Sequence, residues 1–230
     1  MKLDVVIPTL NRRDKLQVAI NSIIRTAKNG NVKLSVFFSI PEEIKYWEPF
    51  FSGIENISLR YVDNYQVPLF WNTYLHEMQA DALCYLNDDI ELLNDTLDII
   101  LWEFPRRFPD YDGVMGLNQV NILDQNKVDA AFGVIGKKFA ERFPYKQVWC
   151  PDYYRFYADS ELQKFATELN RFYYCSDAKL FHYHPSLNPK WEDETHTIVR
   201  RWLSKDRKIY RARQEAGLLW GKSYRLINQE

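Results

Sequence analysis

Asn87, Asp88 and Asp89 stand together at the end of the apolar run Ala82-Leu-Cys-Tyr-Leu86. A short apolar run bounded by polar residues is the pattern of a buried strand. In an open α/β sheet, ligands collect outside the carboxyl ends of the strands. Two adjacent carboxylates at such an end repel each other unless a cation lies between them. Oxygen donors of this kind suit Mg²⁺ or Mn²⁺, which keep part of their water shell and take phosphate oxygens as further ligands. These residue types in this order therefore point to a metal–diphosphate site. The competing reading is a strand followed by a solvated acidic turn, since Asp is a frequent turn former. A second group lies far along the chain, in Ser176-Asp-Ala-Lys-Leu-Phe-His-Tyr-His-Pro185. Read as a strand, its alternation puts His182 and His184 on one face and Phe181 and Tyr183 on the other.

The elements that must position these groups can be read in order. Leu3 to Ile7 is a β-branched run that stops at Pro8, and Leu16, Ala19, Ile20, Ile23 and Ile24 then recur at helical spacing. The loop between them, with Thr9, Asn11 and Arg13, offers backbone N–H groups and a helix N-terminus to an anion or a base. After a polar turn at Lys28 to Asn31, Val32 to Ile40 reads as a strand ended by Pro41, Glu42 to Phe51 as a helix, and Ile57 to Val62 as a strand ending at Asp63-Asn64. A helix from Val67 through Gln79, carrying Asn72, leads into the acidic strand. This repeated β–α alternation implies a parallel sheet with right-handed crossovers.

Beyond it, Leu92 to Phe104 reads as a helix closed by Pro105, Asp112 to Asn118 as a strand, and Lys137 to Phe143 as a short helix. Phe132-Gly-Val-Ile-Gly136 is a glycine-flanked apolar piece, and a further helix runs from Ala158 to Leu169. From Trp191 onward the character becomes basic, with seven Lys/Arg between Arg200 and Arg213 against the single acid Asp206. Ile198, Trp202, Ile209 and Ala216 form an apolar stripe, so a basic C-terminal helix is expected to pack back on the domain.

Composition limits the function classes. A chain of 230 residues with 46% hydrophobic and 27% charged residues is that of one soluble globular domain with an extension. A net charge of −1 argues against a bulk electrostatic grip on nucleic acid. The three cysteines lack metal-ligand spacing, and Cys84 reads as a small buried hydrophobe in a reducing, cytoplasmic setting. The N-terminus enters a strand directly, with no signal peptide, and no apolar run approaches the roughly 20 residues of a membrane span. The dinucleotide pattern G-x-G-x-x-G is absent.

Several segments, taken in order, resemble the inverting family 2 glycosyltransferases of the GT-A fold. Val5-Val-Ile-Pro-Thr-Leu-Asn-Arg12 is similar to that family's opening strand and nucleotide-contacting loop. Asn64-Tyr-Gln-Val-Pro-Leu-Phe-Trp-Asn72 resembles its Asn…Asn stretch, and Leu86-Asn-Asp-Asp-Ile-Glu91 stands where it keeps a D-x-D-type motif. Ala158-Asp-Ser-Glu-Leu162 resembles its E-D-x-x-L element. Leu180-Phe-His-Tyr-His-Pro-Ser186 resembles the strand from which many members supply a histidine to the metal. The likeness spans residues 3 to 186. The sequence departs from it at Phe38-Ser-Ile-Pro41, where members carry an acidic pair for the base and where Ser39 or Glu42 is the available substitute. It departs again at Trp71, where members have Arg, and at Ala158, where the first carboxylate of the E-D pair is missing.

The resemblance implies an α/β fold, a GT-A-like, mostly parallel open sheet flanked by helices, with a C-terminal helical extension. Residues 1–190 would form the transferase domain, 1–125 its nucleotide-sugar half and 126–190 its acceptor half, and 191–230 the basic extension. It implies metal-dependent, inverting transfer of a sugar from a nucleotide-diphosphate sugar, a UDP-sugar by expectation, to an acceptor hydroxyl. That acceptor is a saccharide or, alternatively, a hydroxylated base in DNA. Asp89 would ligate Mn²⁺ or Mg²⁺, with His182 or His184 completing the coordination. Asp88 would touch the ribose or a metal-bound water, with Asn87 sharing the task. Pro8, Thr9, Asn11, Arg13, Asp63 and Asn72 would contact the nucleotide-sugar. Asp159 is the candidate general base and Glu161 a weaker one. The alternatives are a non-catalytic nucleotide-sugar-binding module and a nucleotidyltransferase. The latter normally carries a Gly-rich basic loop after its first strand, and Pro8 to Arg13 contains no glycine.

Overall fold

The computed structural model describes residues 1–28, 31–64, 66–122 and 128–222. The centre of the expected turn at Lys28 to Asn31, Asn29-Gly30, lies outside them. Among the described residues eight strands form one sheet: β1 (Leu3–Thr9), β2 (Val32–Phe38), β3 (Ile57–Tyr61), β4 (Ala82–Tyr85), β5 (Ile90–Leu92), β6 (Val114–Gln119), β7 (Gly133–Gly136) and β8 (Phe172–His182). Their spatial order is β3-β2-β1-β4-β7-β6-β8-β5. The β1–β2, β1–β4, β2–β3 and β6–β8 pairs are parallel, and β4–β7, β6–β7 and β5–β8 are antiparallel. This is the mixed, mostly parallel α/β sheet of a GT-A-like fold.

Seven helices among the described residues flank it: α1 (Arg13–Thr26), α2 (Pro41–Phe51), α3 (Val67–Glu77), α4 (Thr96–Arg107), α5 (Lys137–Ala140), α6 (Ala158–Glu168) and α7 (Glu194–Glu215). The central strands are buried on both faces, which is why they read as continuous apolar runs. Period-2 alternation divides them between two cores. Leu3, Val5, Ile7, Ala82, Cys84 and Leu86 pack with Leu16, Ile20, Trp47, Ile100 and Phe104 of α1, α2 and α4. Val6, Leu83 and Tyr85 pack with Phe70, Trp71, Phe139, Leu162 and Phe165 of α3, α5 and α6. In the second core Trp71, Tyr85 and Trp149 meet with ring centroids 4.9–5.2 Å apart. Such pairs add about 0.5–1.5 kcal/mol each beyond their burial.

Besides helix ends that fall two or three residues early, at Glu77 in α3 and Ala140 in α5, three elements differ from the sequence reading. Leu92 ends the short strand β5, and the helix begins four residues later at Thr96. That helix also runs through Pro105 to Arg107, because a proline in the last turn removes one hydrogen bond while buried Phe104 and Phe108 anchor the segment (centroids 5.3 Å). Finally β8 begins at Phe172, well before Ser176, and ends at His182. A register shift between Leu117 and Asn118, opposite Cys175 and Lys179, breaks the alternation that marks a strand in sequence.

Candidate functional site

Strand β1 pairs with β2 on one side and β4 on the other. The chain thus leaves the sheet's middle in opposite directions, and a crevice opens outside the carboxyl ends of β1 and β4. Thr9 ends β1 and Arg12 follows it, and Asn87, Asp88 and Asp89 follow β4. Asp88 and Asp89 are buried, 2% and 1% exposed. Thr9 Oγ1 donates to Asp88 Oδ2 at 2.8 Å. The cation that two neighbouring carboxylates require is a guanidinium: Arg12 Nη1 donates to Asp88 Oδ1 at 2.8 Å and to Asp89 Oδ2 at 3.0 Å. Burial works against charge on Arg12, but Asp88, Asp89 and Asp193 outweigh it and raise the guanidinium's pKa further. Burial likewise opposes charge on Asp89, and His182, His196 and Arg12 together hold its pKa well below the usual carboxylate range.

The antiparallel β5–β8 pair brings the histidine strand to this point. Ile90 is opposite His182, and Tyr183 N–H donates to the Asp89 carbonyl at 2.8 Å. His182 Nε2 lies 3.4 Å from Asp89 Oδ1. Its other ring nitrogen, Nδ1, is 3.1 Å from Gln119 Oε1, which orients the ring. Asn87 Oδ1, Asp89 Oδ1 and His182 Nε2 are each buried without a hydrogen-bond partner. Buried polar atoms that make no hydrogen bond are unusual, and here Asp89 Oδ1 and His182 Nε2 face each other with Asn87 Oδ1 in the same cleft; two oxygens with one imidazole nitrogen make a donor set that suits Mn²⁺ better than Mg²⁺, with waters completing the shell. Among the described residues no cluster of three or more His, Cys, Asp or Glu side chains would by itself hold a metal ion. The histidine rings follow one another, His184 5.1 Å from His182 and 5.4 Å from His196. His184 bonds Ser186 Oγ through Nδ1, and burial, with His182 adding to it, lowers its pKa to about 4.

Helix α7 closes the same site. Its N-cap Asp193 forms a capping box with His196. Asp193 also accepts from Arg12 Nε at 3.1 Å and Lys15 Nζ at 2.6 Å. Burial pushes Asp193 up, but Lys15, Arg12 and the His196 N–H bring it down to about 2. Thr195 Oγ1 donates to the Leu10 carbonyl at 2.6 Å. The helix also holds the segment before α6. Asp206, fully buried, accepts from the backbone N–H groups of Tyr154, Arg155 and Phe156 at 3.1, 2.9 and 2.9 Å. Tyr154 stacks on Trp202 (centroids 4.0 Å, 4° between planes) and Tyr157 on Tyr210 (4.7 Å, 17°).

Two spaces meet at this wall. An open cleft of about 640 Å³ is lined by Trp71, Asn87, Asp89, Arg155, Asp159, His182 and His184, among others. A tight space of about 20 Å³, under Thr195 and Val199, is lined by Pro8, Thr9, Ser39, Asp88 and Arg155. Asp159 stands in the first turn of α6, whose N-cap is Tyr157, so the first-turn dipole favours a negative charge there. Glu161 is committed elsewhere, accepting from Tyr153 Oη, Arg213 and the Trp220 N–H.

Of the expected nucleotide contacts, Pro8, Thr9 and Asp88 line the tight space together with Ser39. Asn11 and Arg13 line a separate surface depression beside α7. Arg13 makes a bidentate pair with Glu43, Nε to Oε2 at 3.1 Å and Nη2 to Oε1 at 2.8 Å, and lies over the Tyr46 ring at 3.9 Å. Asn72 spends its amide on both backbone groups of Trp149, at 2.7 and 3.1 Å, and Asp63 is exposed. Arg12, Arg155 and His196 carry no site signature of their own in the sequence. Their only signals there are a second arginine beside Arg13 and the Asp193-x-x-His196 spacing before a helix.

No protein-family model matches the chain, and no curated protein sequence matches it. Solved structures do. S. aureus TarS superposes with a TM-score of 0.60 at 14% identity, over 79% of this chain and 36% of that one. The mannosyltransferase PcManGT from Pyrobaculum calidifontis, in complex with GDP-Man and Mn²⁺, gives 0.58 at 13%, over 79% and 56%. S. aureus TarS 1-349 in complex with UDP-GlcNAc gives 0.58 at 11%, over 78% and 57%. The chain spans less than two thirds of the length of each. At these identities the likeness establishes a shared GT-A-like fold. Among the described residues no helix is long and apolar enough to cross a membrane.

Proposed function

We propose that the protein transfers a sugar from a nucleotide-diphosphate sugar to an acceptor hydroxyl, with inversion at the anomeric carbon. The observation that carries this is a single cleft lined by Asp89, His182 and Asn87, each with a buried donor atom that makes no hydrogen bond, and also by Asp159. The shared fold with proteins solved with GDP-Man and Mn²⁺ and with UDP-GlcNAc supports the donor class. Asp89, His182 and Asn87 would hold Mn²⁺ or Mg²⁺. When bound, that ion acts as a Lewis acid toward the leaving diphosphate. Pro8, Thr9, Ser39 and Asp88, which line the space of about 20 Å³, would receive the nucleoside.

Asp159 takes the proton of the acceptor hydroxyl. The acceptor oxygen bonds to the anomeric carbon as the carbon–oxygen bond to the diphosphate breaks and its electron pair leaves with the phosphate. One displacement inverts the centre. Asp159→Asn keeps the shape but accepts no proton, so kcat should fall roughly 10²–10⁴-fold with donor affinity little changed. NMR of the product reads the anomeric configuration, and retention or near-normal kcat would remove Asp159 from the role. A binding module without turnover is the second reading, favoured by Ala158 where a first carboxylate is expected and by the engagement of Glu161. Donor hydrolysis with Mn²⁺ and no acceptor separates the two.

A further inference from the structure

Arg155 lines both the open cleft and the tight space, and is the residue that stands at their junction together with Val67. Among the described residues no hydrogen bond or ion pair holds its guanidinium. Its pKa is drawn below the usual range by burial, with Asp89 and Asp88 offsetting part of that and Arg12 adding to it. A nucleotide-diphosphate sugar is linear, with nucleoside, diphosphate and sugar in that order. If the nucleoside occupies the side of Asp88 and the sugar the side of Asp89 and Asp159, the diphosphate lies where Arg155 is. A guanidinium matches that ligand, since its planar fork donates to two phosphate oxygens at once.

The backbone around Arg155 is fixed with unusual thoroughness for a loop. Asp206 accepts from three successive N–H groups, and two stacked aromatic pairs clamp the residues on either side. Lys205 Nζ donates to Tyr154 Oη at 3.0 Å and Arg207 Nε to Tyr157 Oη at 3.3 Å, which pins both rings to α7. Val67 N–H donates to the Tyr154 carbonyl at 3.0 Å, tying the loop to α3 as well. A segment held only for packing has no need of a cation carried into the cleft at its centre.

We propose that Arg155 binds the diphosphate of the donor and that Asp206, which touches no ligand, is the positioning residue that holds Arg155 in place. This rests on the glycosyl-transfer reading and assigns the group that meets the leaving phosphate. The test is isothermal titration of UDP, UMP and uridine, and of GDP, GMP and guanosine, into the full chain with Mn²⁺. Arg155→Ala should weaken the diphosphate by 10-fold or more and the nucleoside far less, with Arg155→Lys between. Asp206→Asn should weaken the diphosphate similarly, and the double variant should be no weaker than Arg155→Ala alone. Asp206→Glu, which keeps the charge but moves it by one methylene, serves if Asp206→Asn does not fold. Wild-type affinity for the diphosphate in Arg155→Ala overturns the assignment. Full additivity in the double variant overturns the positioning role of Asp206. A wild-type chain that binds neither diphosphate overturns the transfer reading and this one with it.

Discussion

Replacing Arg12 by Met tests the electrostatic account of the site most directly. Met keeps much of the aliphatic stem, so the loss is chiefly charge and hydrogen bonds. The Arg12 side chain is 2% exposed and reaches Asp88, Asp89 and Asp193 at 2.8, 3.0 and 3.1 Å. Removing one partner of a buried ion pair typically destabilises by about 3–5 kcal/mol. Here Asp88 retains Thr9, and Asp193 retains Lys15 and the His196 N–H, so the lower part of that range, about 3–4 kcal/mol, is expected. At roughly 2–4 °C per kcal/mol for a chain of this size, Tm should fall by about 6–16 °C at pH 7. The sign with pH follows from Asp193. Its folded pKa of about 2 lies below the ordinary value near 3.9, so its stabilisation is full above about pH 4 and is lost as pH falls toward 2. Without Arg12 part of that depression disappears, so wild type and variant should converge as pH is lowered from 5 toward 2. Thermal melts by circular dichroism at pH 7, 5, 4 and 3, without divalent metal, measure both quantities. A gap below 2 °C at pH 7, or one that widens on acidification, would refute the reasoning.

Two further outcomes follow from the same geometry. His182→Ala should weaken Mn²⁺ binding roughly 10-fold or more, the usual loss for a ligand or its support, and His184→Ala much less, by titration in the presence of UDP or GDP; unchanged titrations in both variants would return the strand to a structural role. Arg201, Lys208 and Arg211 are exposed on α7 with no carboxylate paired to them among the described residues. Reversing all three to Glu should raise the KM of a polyanionic acceptor and flatten its salt dependence while donor hydrolysis is unchanged, whereas an unaltered salt slope assigns them to a solvated face.

Much of the fold from β1 to β4 was legible in the amino-acid sequence, because strands buried on both faces and one-sided helices each leave a strong period. β5 was not, since three residues leave no period, and β8 was read late because its bulge interrupts the alternation. The acidic pair could be placed at a strand end, but its cation could not be identified. Arg12 and Arg13 are neighbours of one type, and only the fold turns one inward to three carboxylates and the other outward to Glu43. His196 and Asp206 sit in a basic segment whose charge pattern describes its solvent face. Their roles depend on loops more than 40 residues away in sequence, which no local pattern records.

The pairing of Arg12 with Asp193 joins positions 181 residues apart, and Thr195 reaches Leu10 across 185. A chain made from its N-terminus can assemble β1, β2, β3 and β4 while Asp193 has yet to be synthesised. Closing so long a loop adds little to the equilibrium cost, about 0.6 kcal/mol for each doubling of length. In time, however, such non-local contacts come late. Until α7 docks, Asp88 and Asp89 share Arg12 without its third carboxylate, Thr195 does not cap the Leu10 carbonyl, and the loop of Arg155 lacks Asp206. Nascent and truncated chains would therefore carry a formed sheet and an unfinished pocket, and competence to bind would appear as the last event of folding.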